Sequence, residues 1–166
     1  MNALKTFRLD IAGLGIIFYS PFAAASISEG ADYLENAFSD PDMVEQQAIE
    51  GRIVGVSTRT PGRFFIEMYS GYPDDGLVEE QDFKLRLGVE VRDRRLCVRD
   101  IFDLLKWESR CPAAQELELD DGFYHITLLS NEPPSGVMGE DQLIKVYLQK
   151  LQEMPKLRYN GVPTLC

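Results

Sequence analysis

The stretch Phe83-Lys84-Leu85-Arg86-Leu87-Gly88-Val89-Glu90-Val91 decides the fold. Its odd positions are apolar, and Lys84, Arg86 and Glu90 fall between them. A period of two places alternate side chains on opposite faces, so this segment reads as a half-buried β-strand with one face on a core. A helix would spread those apolar residues around its whole circumference.

Outward from this stretch the same rhythm recurs, divided by turn residues. Arg52–Ser57 carries Ile53-Val54-Gly55-Val56. Thr60-Pro61-Gly62 follows as a turn, because Pro presets φ and Gly accepts positive φ. Arg63–Ser70 is expected to return as the second strand of that hairpin. Downstream, Arg92-Asp93-Arg94-Arg95 is a polar turn before Leu96–Val98, and Asp100 is placed to cap a short helix, Ile101–Trp107. Glu116–Leu119 alternates again, and Asp120-Asp121-Gly122 carries the Asp-Gly hairpin signal. Phe123–Ser130 is the expected returning strand. Asn131–Asp141, with Pro133, Pro134, Gly136 and Gly139, is a loop. Leu143–Leu148 is a last strand, and Gly161-Val162-Pro163 marks an irregular tail.

Upstream, Phe7, Leu9 and Ile11 alternate with polar neighbours as an N-terminal strand. The basic start, the apolar run from Ile11 and Ala23-Ala24-Ala25 superficially resemble a secretory signal. Asp10 at the mouth of the run and Tyr19-Ser20-Pro21 within it favour the strand, and the run is too short for a membrane span. Ala23–Ile27 is expected to resume as a short extended piece. Ser39-Asp40-Pro41-Asp42 is a helix start, with a capping side chain, Pro in the first turn and acids near the positive end of the dipole. Met43, Val44, Gln47 and Ala48 share a face of that helix, and Gly51 ends it.

The expectation is therefore a mainly β protein: one domain over residues 1–166, an antiparallel β-sandwich with two short helices. With 166 residues, 45% apolar and 27% charged, the chain has enough material for one sizeable core.

Net charge is the unusual quantity. Seventeen Lys and Arg against 27 Asp and Glu give −10. The excess of acid is spread along the chain, so it belongs to the folded surface and not to a tail. It disfavours direct contact with nucleic acid, which needs clustered cations, and favours basic protein partners.

Catalytic motifs are missing. The sequence has no GxGxxG, GxxxxGK[ST] or GxSxG, and Gly13-Leu14-Gly15 is only a fragment with no helix opening after it. The single His125 sits mid-strand, where neither a serine triad nor metal ligation is indicated. Cys97, Cys111 and Cys166 form an odd set with no CxxC, which argues against a disulfide framework or a zinc site and fits a reducing compartment, the cytoplasm. A Cys97–Cys111 bridge stays open, as does the periplasm if the N terminus were a signal. Trp107 is expected to anchor a core. No cofactor is expected, and no enzyme activity.

The segment Glu67–Phe83 stands out: it holds Asp74, Asp75, Glu79, Glu80 and Asp82 with no Lys or Arg. An EF-hand is excluded, because with Asp74 first the fifth position is Val78 and the sixth, where a turn Gly belongs, is Glu79. Carboxylates on a rigid scaffold beside an aromatic such as Tyr72 can instead mimic phosphate and enter a cationic cleft. Asp120, Asp121, Glu140 and Asp141 are the second acidic group.

The order of segments from Ile49 to Tyr147 also resembles the J-type competence proteins, nuclease inhibitors, and related bacterial immunity proteins. Ile53–Phe65, Phe83–Val91 and above all Leu117-Glu118-Leu119-Asp120-Asp121-Gly122-Phe123-Tyr124-His125-Ile126-Thr127 carry the resemblance, over about two thirds of the chain. Ile101–Trp107 and the tail after Leu148 are departures from it. The resemblance implies a small acidic β protein that binds and silences a DNA-degrading partner, here a basic toxin met as an immunity protein meets one. A carbohydrate- or small-ligand-binding β module is the alternative, and would need an exposed aromatic cleft around Trp107 or Tyr72.

Overall fold

A computed structural model describes residues 2–159 and 163–165. Among the described residues nine strands form: β1 (Lys5–Ile11), β2 (Gly15–Tyr19), β3 (Ile53–Ser57), β4 (Gly62–Ser70), β5 (Phe83–Val91), β6 (Arg95–Asp100), β7 (Glu116–Glu118), β8 (Gly122–Ser130) and β9 (Gln142–Leu151). They form a five-stranded sheet in the order β1-β4-β9-β8-β5 and a four-stranded sheet in the order β3-β2-β6-β7. The alternation of β5 is realised: Leu87, Val89 and Val91 are buried, and Lys84 and Arg86 face out. Its register on β8 runs from Phe83 opposite Ser130 to Val91 opposite Gly122.

The two sheets pack face to face. Leu9, Phe64, Ile66, Met68, Leu87, Ile126 and Val146 from the larger sheet meet Ile16, Phe18, Val54, Val56, Leu96 and Val98 from the smaller. Each such side chain contributes about 1.5–3 kcal/mol on burial. The smaller sheet is covered on its other face too. There Ile17, Tyr19, Ile53 and Cys97 pack under Phe38, Val44, Leu104 and Trp107. This second cover is why β2 is apolar throughout and superficially resembled a signal sequence: both of its faces are buried. Trp107 is 1% exposed and anchors this layer, edge-on to Tyr19 at 5.5 Å. Cys97 and Cys111 are free thiols in the same layer.

Among the described residues three α-helices accompany the strands: α1 (Tyr33–Phe38), α2 (Pro41–Glu50) and α3 (Asp75–Glu79). The helix expected from Ser39-Asp40-Pro41 is α2. The Asp40 carboxylate accepts the Met43 N–H at 2.9 Å, and Gly51 closes the helix at φ 66°. Val44 and Ala48 are buried, while Met43 faces out. Helix α1, capped by Asp32, was not expected, and neither was α3.

Several connections differ from the sequence reading. The two expected hairpins are not hairpins. β3 pairs with β2 whereas β4 pairs with β1 and β9, so Thr60-Pro61-Gly62 carries the chain from one sheet to the other. Asp120-Asp121-Gly122 does the same between β7, paired with β6, and β8, paired with β5 and β9. A tight turn with a Gly at positive φ serves either purpose, and only packing distinguishes the two. The pair β4–β9 is parallel, whereas the other pairs of named strands are antiparallel. The expected helix Ile101–Trp107 is a 3₁₀ segment, Ile101–Leu105, with the Asp100 carboxylate accepting from Phe102 N–H at 3.0 Å. Pro21–Ala24 is also 3₁₀ where an extended piece was expected. Gly161, Val162 and Cys166 lie outside the described residues.

Candidate functional site

The register of the larger sheet dictates the path of the acidic segment. β4 is parallel to β9, β9 antiparallel to β8, and β8 antiparallel to β5. β4 and β5 therefore point the same way, with two strands between them. A connection between parallel strands must return along the length of the sheet, over one of its faces. Residues 71–82 make that return on the face turned away from the core. There Thr127, Leu129 and Tyr147 occupy outward-pointing positions yet are 5%, 0% and 7% exposed. Within the crossover Pro73 is buried, and Leu77 and Val78 of α3 are half-buried. Asp74, Asp75, Glu79, Glu80 and Asp82 are exposed. The crossover thus puts its apolar residues down and its carboxylates up.

The crossover is tied at both ends and near its start. Gly71 N–H donates to the Leu148 carbonyl at 2.8 Å. The Tyr72 hydroxyl lies 2.7 Å from His125 Nδ1. The Arg86 guanidinium sits 4.9 Å from the centre of the Tyr72 ring, and its Nε donates to Thr127 Oγ1 at 3.0 Å. Asp82 closes the far end: its N–H donates to Asn131 Oδ1 at 2.7 Å, and its carboxylate accepts from Glu132 N–H at 3.2 Å. Burial first and the Arg86 charge second hold the His125 imidazole below its ordinary pKa. The neutral ring then pairs with the Tyr72 hydroxyl, its tautomer setting which of the two donates. Burial, then the Asp74 carboxylate, pushes the Tyr147 hydroxyl up. Tyr147 stacks on Tyr69 at 4.9 Å. The Tyr69 hydroxyl, donating to Glu67, is pushed up to about 12 chiefly by that bond.

The ten residues singled out from the sequence occupy three places. Tyr72, Asp74, Asp75, Glu79, Glu80 and Asp82 share the crossover. Among the described residues, none of its five carboxylates has an Arg, Lys or His nitrogen within 4.0 Å. Asp120 and Asp121 stand before β8, with Arg94 at 3.6 Å from Asp120 and its N–H donating to Asp121 at 2.9 Å. Glu140 and Asp141 stand before β9, and Asp141 meets Arg63 at 3.6 Å. These two pairs flank opposite ends of the nine-residue β8, roughly 30 Å apart, so they do not form one patch. Arg86, His125 and Thr127, which hold Tyr72, were not anticipated. Their association with it depends on strand order, and residue spacing carries no trace of that.

No family model matches the chain, and no curated protein matches it. Two solved structures do. One is ComJ, inhibitor of the DNA-degrading activity of NucA, from Bacillus subtilis; at 11% identity, 90% of this chain and 98% of ComJ superpose with a TM-score of 0.50. In fold the chain is similar to ComJ. The other is the protein of crocagin biosynthetic gene J, at 15% identity, 86% and 95% coverage and a TM-score of 0.54. The likeness to ComJ covers nearly the full length of either chain.

Proposed function

We propose that this protein is a non-enzymatic, immunity-type inhibitor that fills the cationic cleft of a basic bacterial toxin, a DNA-degrading nuclease. The single observation that carries the reading is the crossover. Five exposed carboxylates without basic partners among the described residues ride on a segment fastened to a sheet. Preorganised charges cost little further ordering on binding, and a cleft shaped for phosphate offers them compensating cations. The fold shared with ComJ, which inhibits NucA, supports the same reading. So does the net charge of −10, which speeds encounter with a cationic partner by roughly ten- to a thousand-fold and repels DNA itself.

Tyr72, Asp74, Asp75, Glu79, Glu80 and Asp82 are assigned the contact. Asp120, Asp121, Glu140 and Asp141 supply long-range field, because Arg94 and Arg63 already stand against two of them. The site of action is the cytoplasm, where a toxin is met before export. The carbohydrate-module reading loses its platform: Trp107 is buried, and Arg86 lies over the Tyr72 ring.

Binding to a basic DNA-degrading nuclease, with NucA as the first probe, measured across a salt series by calorimetry, tests the proposal. Reversing both charges, Asp74→Lys with Asp75→Lys, is expected to weaken binding at least tenfold, about 1.4 kcal/mol. Reversal at Asp120 and Asp121 is expected to have a smaller effect, and added salt to weaken the wild type. Affinity indifferent to both salt and the Asp74/Asp75 reversal would overturn the assignment.

A further inference from the structure

A second cluster of reactive side chains lies on the far side of the molecule, against the outer face of the smaller sheet. Cys97 on β6 is flanked in register by Tyr19 on β2 and Glu116 on β7, so the three side chains lie abreast on one face. Cys111 arrives over this row from the segment that follows Trp107. One donor atom from each of Cys97, Cys111 and Glu116 lies within 4.8 Å of the other two. We propose that these residues form a binding site for a single zinc ion, with two thiolates and one carboxylate as ligands and the fourth position open to water.

The donor set suits that ion. Zinc takes sulfur at about 2.3 Å and carboxylate oxygen at about 2.0–2.2 Å in a tetrahedral arrangement, which holds two sulfurs roughly 3.8 Å apart. All three donors lie within 4.8 Å of one another, within about 1 Å of the sulfur spacing the ion requires. Magnesium and calcium want oxygen ligands throughout and are disfavoured by two sulfurs.

The surroundings hold the ligands in place. Arg95 Nη1 meets Glu116 Oε1 at 3.5 Å, which fixes one edge of the carboxylate. Lys5 Nζ donates to the carbonyls of Ala113 and Glu116, at 2.9 and 2.6 Å, and Gln115 Nε2 donates to the Val98 carbonyl at 2.9 Å. The segment that carries Cys111 and Glu116 is thereby pinned to the sheet. Cys97 is 1% and Cys111 8% exposed, so exchange with solvent metal is slow once the site is filled. On binding, two sulfur–zinc bonds form and the two thiol protons leave to solvent; no electrons move. The spacing of Cys97 and Cys111 in sequence matches no zinc motif, and only the fold brings Glu116 to them.

The test uses the full chain in a Cys166→Ser background, reduced with a phosphine, and zinc alone as ligand. Competition with a chromophoric chelator is expected to show one zinc per chain. Cobalt substitution is expected to give thiolate-to-cobalt charge-transfer absorption. Cys111→Ser should reduce that absorption to about half at saturating cobalt, one thiolate of two remaining, and weaken zinc binding at least tenfold. Glu116→Gln, which conserves shape at a half-buried position and guards against simple misfolding of the cysteine variant, should also weaken binding at least tenfold with an unchanged thermal melt. Three results would overturn the proposal: no zinc retained by the reduced chain, affinity unchanged in both variants, or a Cys97–Cys111 disulfide whose reduction leaves a chain that still takes no metal.

Discussion

His125 is the only histidine in the chain, and its Nδ1 faces the Tyr72 hydroxyl at 2.7 Å. Burial, and then Arg86, depresses its pKa in the folded state. The unfolded ring titrates near 6.5. Between the folded value and that one, the unfolded chain binds more protons, so stability rises with pH across the window. The contribution is fully present above about 6.5 and is lost as pH falls toward the folded value. Denaturant unfolding of the wild type and of His125→Gln, followed from about pH 7.5 downward through the histidine range, is expected to show this extra slope in the wild type alone. Equal slopes would mean that the imidazole is solvated. At this scale the sequence showed the participants and not the contacts. Tyr72 and His125 each attracted notice for unrelated reasons, and nothing in their 53-residue separation joins them. Asp120 and Asp141 read as free charges because Arg94 and Arg63 reach them through tertiary structure. Trp107 was legible as a core anchor, since a large apolar ring has few other stable positions.

Among elements, those specified locally were the readable ones. β5 follows from alternation alone, and α2 from an Asp-Pro start and a Gly stop. Gly51 shows how firmly such punctuation is set. At φ 66° it is left-handed, and a Cβ there would run into the Met154 methyl and lie 3.0 Å from the Gly88 carbonyl. Its own carbonyl accepts from Glu90 N–H at 2.9 Å, joining the helix end to β5. Gly51→Ala is therefore expected to cost about 1–2 kcal/mol from the backbone conformation, a fall in Tm of about 2–8 °C for a chain of this size. A melt within one degree of wild type would show that the helix end relaxes freely. What could not be read locally was which sheet a strand joins. Gly62 and Gly122 sit at turns that would serve hairpins, and both instead pass the chain between layers. At Gly62 a side chain would collide with the Gly139 carbonyl, so this crossing needs glycine for closeness as well as for φ. Helix α3 escaped notice because five residues with one apolar pair, Leu77-Val78, are too few to show a period. It forms because the sheet beneath it needs covering.

For the molecule as a whole, a parallel relation between β4 and β5 forces a chain segment across an outer sheet face, and that segment is the one richest in carboxylates. The nine strands make the display stiff, and the net charge of −10 gives it reach. The fold class was legible in the sequence, and so was the concentration of carboxylates in that segment. The use of that segment as a sheet cover was not, because it follows from strand order. The most direct measurement is a DNA-degradation assay of a basic nuclease that this chain binds, titrated with the purified chain. The expected result is complete inhibition near one chain per nuclease, shifted at least tenfold to higher concentration by Asp74→Lys with Asp75→Lys. Undiminished degradation at large excess of the chain would contradict the account.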